Sequence, residues 1–312
     1  MPELPEPQTT PVKHTNSRAA TFASSTLDPN ALQYHIDVAE DMRLEFVGPM
    51  PVDEFLKEFV PLHVEPTPQV GNALAKAGSS EKDFINTITT YGLCPSLEFV
   101  DTTDKGDKKH PKYAKPDMSV FNRRDIVAAG ITKTPLDDTK QASDVCPSPQ
   151  IPPPPTPKKK GSRKAAHDFR MCFPILEMPI ERKPDGADQD PFTDGTSTKP
   201  GEETPAFQNN AVKGKRNRGQ MIKYTTAQFS AQFRAFSFSI VLFPDAYRLV
   251  RWDRAGAVVT KRTSLESDGQ YLAEFLWRFD HLTPQQRGWD TTVCVPTKAE
   301  ADLAKSFLES EA

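Results

Sequence analysis

Prolines divide this chain. Thirty of them stand among 312 residues of which 37% are hydrophobic. Proline fixes φ and donates no backbone hydrogen bond, so helices and central strands must fit into the stretches between its clusters. Residues 1–28 are rich in Pro, Ser and Thr without hydrophobic periodicity, and read as a disordered arm whose ordering entropy no burial offsets. Residues 132–165 read as a linker, stiff, extended and basic at its centre, Ile151 to Lys160. A Gly, Asp, Thr and Pro-rich stretch over 184–217 reads as a mobile loop, and 301–312 as a tail. Folded structure is expected in 29–131, 166–183 and 218–300.

Within those stretches the periodicity is informative. Asp28-Pro29-Asn30 and Pro51 open two short amphipathic helices, the second with Pro51 expected at its first helical position. Ser80 can cap a third that places Phe84, Ile85 and Ile88 on one face. Period-2 patterns at 97–103, 115–121 and 169–182 predict three strands, and a helix follows from Gly219 with Ile222, Gln228, Phe229 and Phe233. Phe236–Phe243, Tyr247–Trp252 and Ala257–Thr260 predict a β-meander, and Gln270–Phe279 a last helix. Asp253 and Arg254 read as turn residues at a hairpin tip, and Trp252, Trp277 and Trp289 as core or partner-facing aromatics. The order helix, three strands, helix, strands predicts an α+β protein, a mixed sheet flanked by helices with long disordered insertions.

The formal net charge of −3 supplies no global field to recruit nucleic acid. Local patches exist at Pro157–Lys164 and at Lys213, Lys215, Arg216 and Arg218, tracts suited to nuclear import or to phosphate. The start lacks a cationic end followed by an apolar run, and the longest apolar stretch, Phe236–Phe243, is far short of a membrane span. The expectation is a soluble intracellular protein, cytoplasmic or nuclear, with no membrane partner. Cys94, Cys146, Cys172 and Cys294 are too far apart for a zinc spacing and read as small thiols.

Chemistry concentrates at Pro116-Asp117, Glu181-Arg182-Lys183 and Gln220-Met221-Ile222-Lys223-Tyr224. Antiparallel pairing of the second and third strands brings Asp117 to the same sheet edge as Glu181 and Lys183, which, two apart, share a face. Two hard carboxylates, Asp117 and Glu181, can hold Mg²⁺, while Lys183 can orient a water and offset developing charge. The bland alternatives are a same-face salt bridge for Glu181 and Lys183 and helix packing for Tyr224. The arrangement resembles the PD-(D/E)XK nuclease superfamily, whose core runs αβββαβ and whose RecB-like branch carries Gln-x-x-x-Tyr on the helix after the third strand, matched by Gln220 and Tyr224. Read through that resemblance, Asp117, Glu181, Lys183, Gln220 and Tyr224 are catalytic candidates, with Mg²⁺ as cofactor. The chain departs from the pattern in its long insertion between Asp117 and Glu181 and in lacking a clear upstream glutamate, for which Glu81 is the one candidate.

A second resemblance covers residues from about 80 to 295. Leu97–Thr103, Lys115–Val120, Asp190-Pro191-Phe192, Arg218-Gly219-Gln220, Gln232–Ser239, Arg251–Thr260 and Glu274–Phe279 look like the N-terminal region of fungal-type protein kinases. In that family the ATP-binding and catalytic lobes follow this region. Here no Gly-x-Gly-x-x-Gly occurs, Asn122-Arg123-Arg124-Asp125 is not His-Arg-Asp, and Asp168-Phe169-Arg170 lacks the glycine of Asp-Phe-Gly. The resemblance therefore implies a non-catalytic binding or regulatory module, a truncated or split product without cofactor. Its expected partners are proteins or a separate kinase core, with nucleic acid through the basic loops. This reading leads, and the metal-dependent nuclease follows it. An adaptor using Pro152–Pro157 as a polyproline ligand comes third.

Overall fold

The computed structural model describes residues 29–104, 106, 115–128, 171–195, 207–294 and 296–310. The N-terminal arm, the Pro/Lys-rich linker and 196–206 of the long loop lie outside the described residues.

The chain runs α1 (Pro29–Asp41), β1 (Phe46–Met50), α2 (Val52–Phe59), α3 (Glu81–Thr90), β2 (Leu97–Asp101), β3 (Met118–Asn122), α4 (Arg123–Ala128), β4 (Leu176–Arg182) and α5 (Val212–Ala231). It continues through β5 (Phe236–Leu242), β6 (Ala246–Asp253), β7 (Ala257–Thr260), β8 (Thr263–Ser264), α6 (Leu265–His281) and α7 (Lys298–Ser310). The protein is α+β, with one mixed sheet of order β1-β7-β6-β5-β4-β3-β2 and β8 beside β6. Strands β2, β3 and β4 pair antiparallel, whereas β5 returns after α5 to lie parallel to β4. From α3 to β5 the order is thus helix, three strands, helix, strand, with the short α4 inserted. The meander anticipated from β5 to β7 extends this same sheet.

Alternation along the strands divides the core into two layers. Phe238, Ile240 and Leu242 of β5, with Met118, Val120, Met178 and Ile180, meet α2, α3 and α6 on one face. On the other face, Val241, Val250 and Trp252 meet α1 and α5 through Ala39, Met221 and Ile222, while Phe121 and Leu176 meet Tyr224 and Ala227. By the same parity Asp117, Glu181 and Lys183 belong to the α5 face. Helix α1 lies directly on α5 because residue 219 is glycine: a Cβ there would stand 1.8 Å from the His35 carbonyl oxygen.

Ser80 caps α3 as its position suggests, its Oγ accepting the Asp83 N–H at 3.0 Å. Ser80→Ala is expected to destabilise the protein by about 1 kcal/mol in urea denaturation. Losing this cap loosens the first turn of α3, where Glu81 stands.

Five expectations require correction. Pro51 is the residue before α2 rather than its first helical position. Strand β1 escaped the sequence reading because Gly48-Pro49 interrupts its pattern; such a strand survives at an edge, paired among the described residues with β7 alone and with a register shift between Val47 and Met50. The strand expected from Phe169 begins at Leu176, since Pro174 sets a 3-10 turn over Phe173–Ile175. In the loop expected to be mobile, described over 184–195 and 207–217, Phe192 is buried and bridges to Gln208, and Asp190 is ion-paired inside the fold. The expected tail is largely the helix α7, with Leu303, Phe307 and Leu308 exposed.

Candidate active site

The β3–β4 ladder puts Met118 opposite Ile180, so Asp117, just before β3, falls beside Glu181 and Arg182 at the end of β4. The Arg182 N–H donates to Asp117 Oδ2 at 2.9 Å, and the Asp117 N–H lies 3.4 Å from Glu181 Oε2. These two backbone contacts hold the carboxyl groups side by side.

Lys183 continues the same edge, its own N–H bonded to the Leu242 carbonyl at 2.8 Å. Its Nζ donates to Glu181 Oε1 at 2.6 Å and to Gln220 Oε1 at 2.7 Å. Gln220 and Tyr224, one turn apart on α5, complete a relay: Gln220 Nε2 donates to the Tyr224 hydroxyl at 2.7 Å, which donates to the Lys115 carbonyl at 2.8 Å. All five sequence-predicted residues therefore meet in one hydrogen-bonded cluster. Glu181 and Lys183 are buried, while Asp117 and Gln220 are partly exposed. Both bland alternatives are present as contacts too, an ion pair within β4 and a buried Tyr224.

Electrostatically the site is unbalanced. Burial and then the Glu181 charge push the Asp117 carboxyl up to about 7, against the opposing pull of Lys183 and the Arg182 N–H. Glu81, at the first position of α3, adds a smaller push in the same direction, so the upstream glutamate guessed from sequence stands within electrostatic reach. Burial, followed by Glu181 and Asp117, raises the Tyr224 phenol well above its ordinary value, and it stays a donor. Beneath Glu181 a cavity of about 10 Å³, lined by Pro179, Met221, Tyr224, Ser239 and Ile240, has room for about one water.

The four basic candidates separate. Because α5 begins at Val212, seven residues earlier than expected, Lys213–Arg218 form its first turns rather than a loop. Arg218 is fully buried, donating to the carbonyls of Pro191 and Asn209 at 2.9 and 3.0 Å, and cannot reach a surface phosphate. Lys213 pairs with Asp188 at 2.8 Å, and Lys215 pairs with Glu40. Arg216 acts on His35, which burial first, then Lys223, Lys183 and Arg216, lower to about 4.

Two participants escaped the sequence reading. His35 and Arg182 join the region through long-range packing. Arg182 Nε donates to the Gly78 carbonyl at 2.8 Å, and its guanidinium lies 3.8 Å from Glu81, tying α3 to the end of β4.

In donor chemistry the cluster suits a hard divalent cation: paired carboxylate oxygens, one carboxyl with its pKa raised by burial and then by its neighbour's charge, and an adjacent lysine. Among the described residues no helix is long and apolar enough to cross a membrane. No protein-family model, curated protein or solved structure matches this chain.

Proposed function

We propose that this protein is a divalent-cation-dependent phosphodiesterase of the PD-(D/E)XK type, acting on nucleic acid. One observation carries the reading: backbone hydrogen bonds keep the Asp117 carboxyl beside the buried Glu181 carboxylate, and Lys183 pairs with Glu181 rather than with Asp117, so the two acids outnumber that lysine. A purely structural cluster gains nothing from that excess negative charge, whereas a cation site requires it. Asp117 and Glu181 would hold the ion, with Glu81 at the margin. When bound, such an ion polarises a phosphate and acidifies a water. Lys183, held by Gln220, is placed to orient the attacking water and offset charge developing on the phosphate. Tyr224 fixes Gln220, which in turn holds Lys183.

A second reading has one observation in its favour. Lys183, Gln220 and Tyr224 satisfy one another within the fold, which suits a binding or regulatory module like the N-terminal region of fungal-type kinases, with the site retained but silent.

Incubation of the protein with labelled single- and double-stranded DNA and RNA in Mg²⁺ or Mn²⁺ separates the two. The nuclease reading expects cleavage that EDTA stops and that Lys183→Ala abolishes in a protein with wild-type circular dichroism. Absence of cleavage with either ion on every substrate, or equal cleavage by the lysine variant, sinks the nuclease and leaves the silent module.

A further inference from the structure

We propose that His63, Glu65 and His281 form a second metal site, one for a zinc-type transition ion, that clips the 61–70 segment to the end of α6. Each residue offers one ligand atom, and these atoms all lie within 4.8 Å of one another. Among the described residues no other trio of His, Cys, Asp or Glu meets this closely. Tetrahedral zinc with bonds of about 2.1 Å sets its ligands about 3.4 Å apart, so closure requires a contraction of up to about 1.4 Å. Two side chains of an irregular segment can supply that movement.

The surroundings prepare the ligands. His281 Nδ1 lies 2.7 Å from the Trp277 carbonyl, and a carbonyl can only accept, so Nδ1 carries the proton and Nε2 presents its lone pair. A ring N–H given to a backbone carbonyl is the usual support behind a metal-binding histidine. His63 Nδ1 accepts the Glu65 N–H at 3.2 Å, a long bond that yields readily to an ion. The two imidazoles already meet, with centroids 4.1 Å apart and planes tilted by 38°, and His281 packs on Trp277 at 4.3 Å. Three further bonds dock the segment on α6: Trp277 Nε1 to the Glu65 carbonyl, the Val70 N–H to Gln270 Oε1, and Gln270 Nε2 to the Pro68 carbonyl, each 3.2 Å. The segment is thus held on α6 before any ion arrives, and only side chains have to move.

Ligand type separates this site from the carboxylate pair at Asp117 and Glu181. Two imidazoles with one carboxylate favour zinc and its neighbours, whereas oxygen donors alone favour magnesium or manganese. With three protein ligands, one of them exposed, a fourth position stays open to water.

The test titrates metal-stripped full-length protein with Zn²⁺ by calorimetry and with Co²⁺ by visible absorption and Trp277 emission. One equivalent of Zn²⁺ is expected to bind with a Kd of about 10 μM or tighter, unaffected by millimolar Mg²⁺. Co²⁺ should give tetrahedral d–d bands and quench Trp277. His63→Gln, placed in an irregular segment where it does not threaten folding, and His63→Gln with His281→Gln should weaken Zn²⁺ binding at least tenfold. Binding in the double variant within twofold of wild type overturns the site, as does the absence of saturable binding at 100 μM. Because Asp117 and Lys183 are untouched, either outcome stands apart from that of the cleavage assay.

Discussion

Asp117→Asn is expected to stabilise the protein by about 2–3 kcal/mol at pH 8 while removing its response to Mg²⁺, and to leave stability nearly unchanged at pH 4. The sign follows from the raised folded-state pKa of Asp117, about 7 against 3.8 for an unshielded aspartate. Below about 4 the group is neutral whether the chain is folded or not. Between about 4 and 7 the folded state keeps a proton that the unfolded state has released, so stability falls as pH rises through that window. Above about 7 both states are ionised and the fold carries the whole cost of the shielded charge, up to about 4 kcal/mol before its partial exposure is discounted. Asparagine keeps an oxygen for the Arg182 N–H and carries no charge, so it removes this cost. A cation that binds only the ionised folded site should restore wild-type stability at pH 8 and do nothing for the variant. Urea denaturation at both pH values, with and without Mg²⁺, measures all four quantities. A variant no more stable than wild type at pH 8 would mean that the carboxylate pair is not under electrostatic load, and the case for a cation would lose its basis.

The residues legible in the sequence were those whose neighbours are set by local geometry. Glu181 and Lys183 share a face because strand side chains alternate, and Gln220 and Tyr224 do so because a helix turns every 3.6 residues. Asp117 joined them through a single long-range step, the antiparallel pairing of β3 with β4. Where placement depended on burial by distant elements, composition misled. The run Lys213–Arg218 reads as a solvated charged loop, yet Arg218 is turned inward to two carbonyls by packing of the 184–195 and 207–211 segments, which no local pattern announces. Strand β1 was hidden by its own Gly-Pro, and α7 by its exposure, since a helix that buries little on this chain leaves only a weak pattern. His63 and His281 stand in stretches of different periodicity, and nothing in their spacing brings them together.

Arg248→Met is expected to destabilise the fold by about 3–5 kcal/mol, the largest effect of any single change considered. Arg248 is 1% exposed and grips Asp190 with two nitrogens, Nε to Oδ1 and Nη2 to Oδ2, both at 3.0 Å. Its remaining nitrogen donates to Asp194 at 2.7 Å and to the Thr260 carbonyl at 2.8 Å. Methionine fills much of the volume but leaves Asp190 buried with Arg262, 3.5 Å away, as its nearest cation. The loss is therefore mostly the stranded carboxylate, and Arg248→Met with Asp190→Asn should recover a large part of it. A double-variant cycle in urea gives the coupling directly; a single-variant loss under about 1 kcal/mol would show that the pair does not anchor the segment. The consequence for chemistry follows from register. Glu181 pairs with Val241 and Val241 with Arg248, one row across three strands on the face that α5 covers. The segment clamped by Arg248 leaves β4 directly after Lys183, so loosening it frees the strand end that carries the lysine. On the proposed nuclease reading, cleavage by Arg248→Met should therefore fall with temperature ahead of global unfolding.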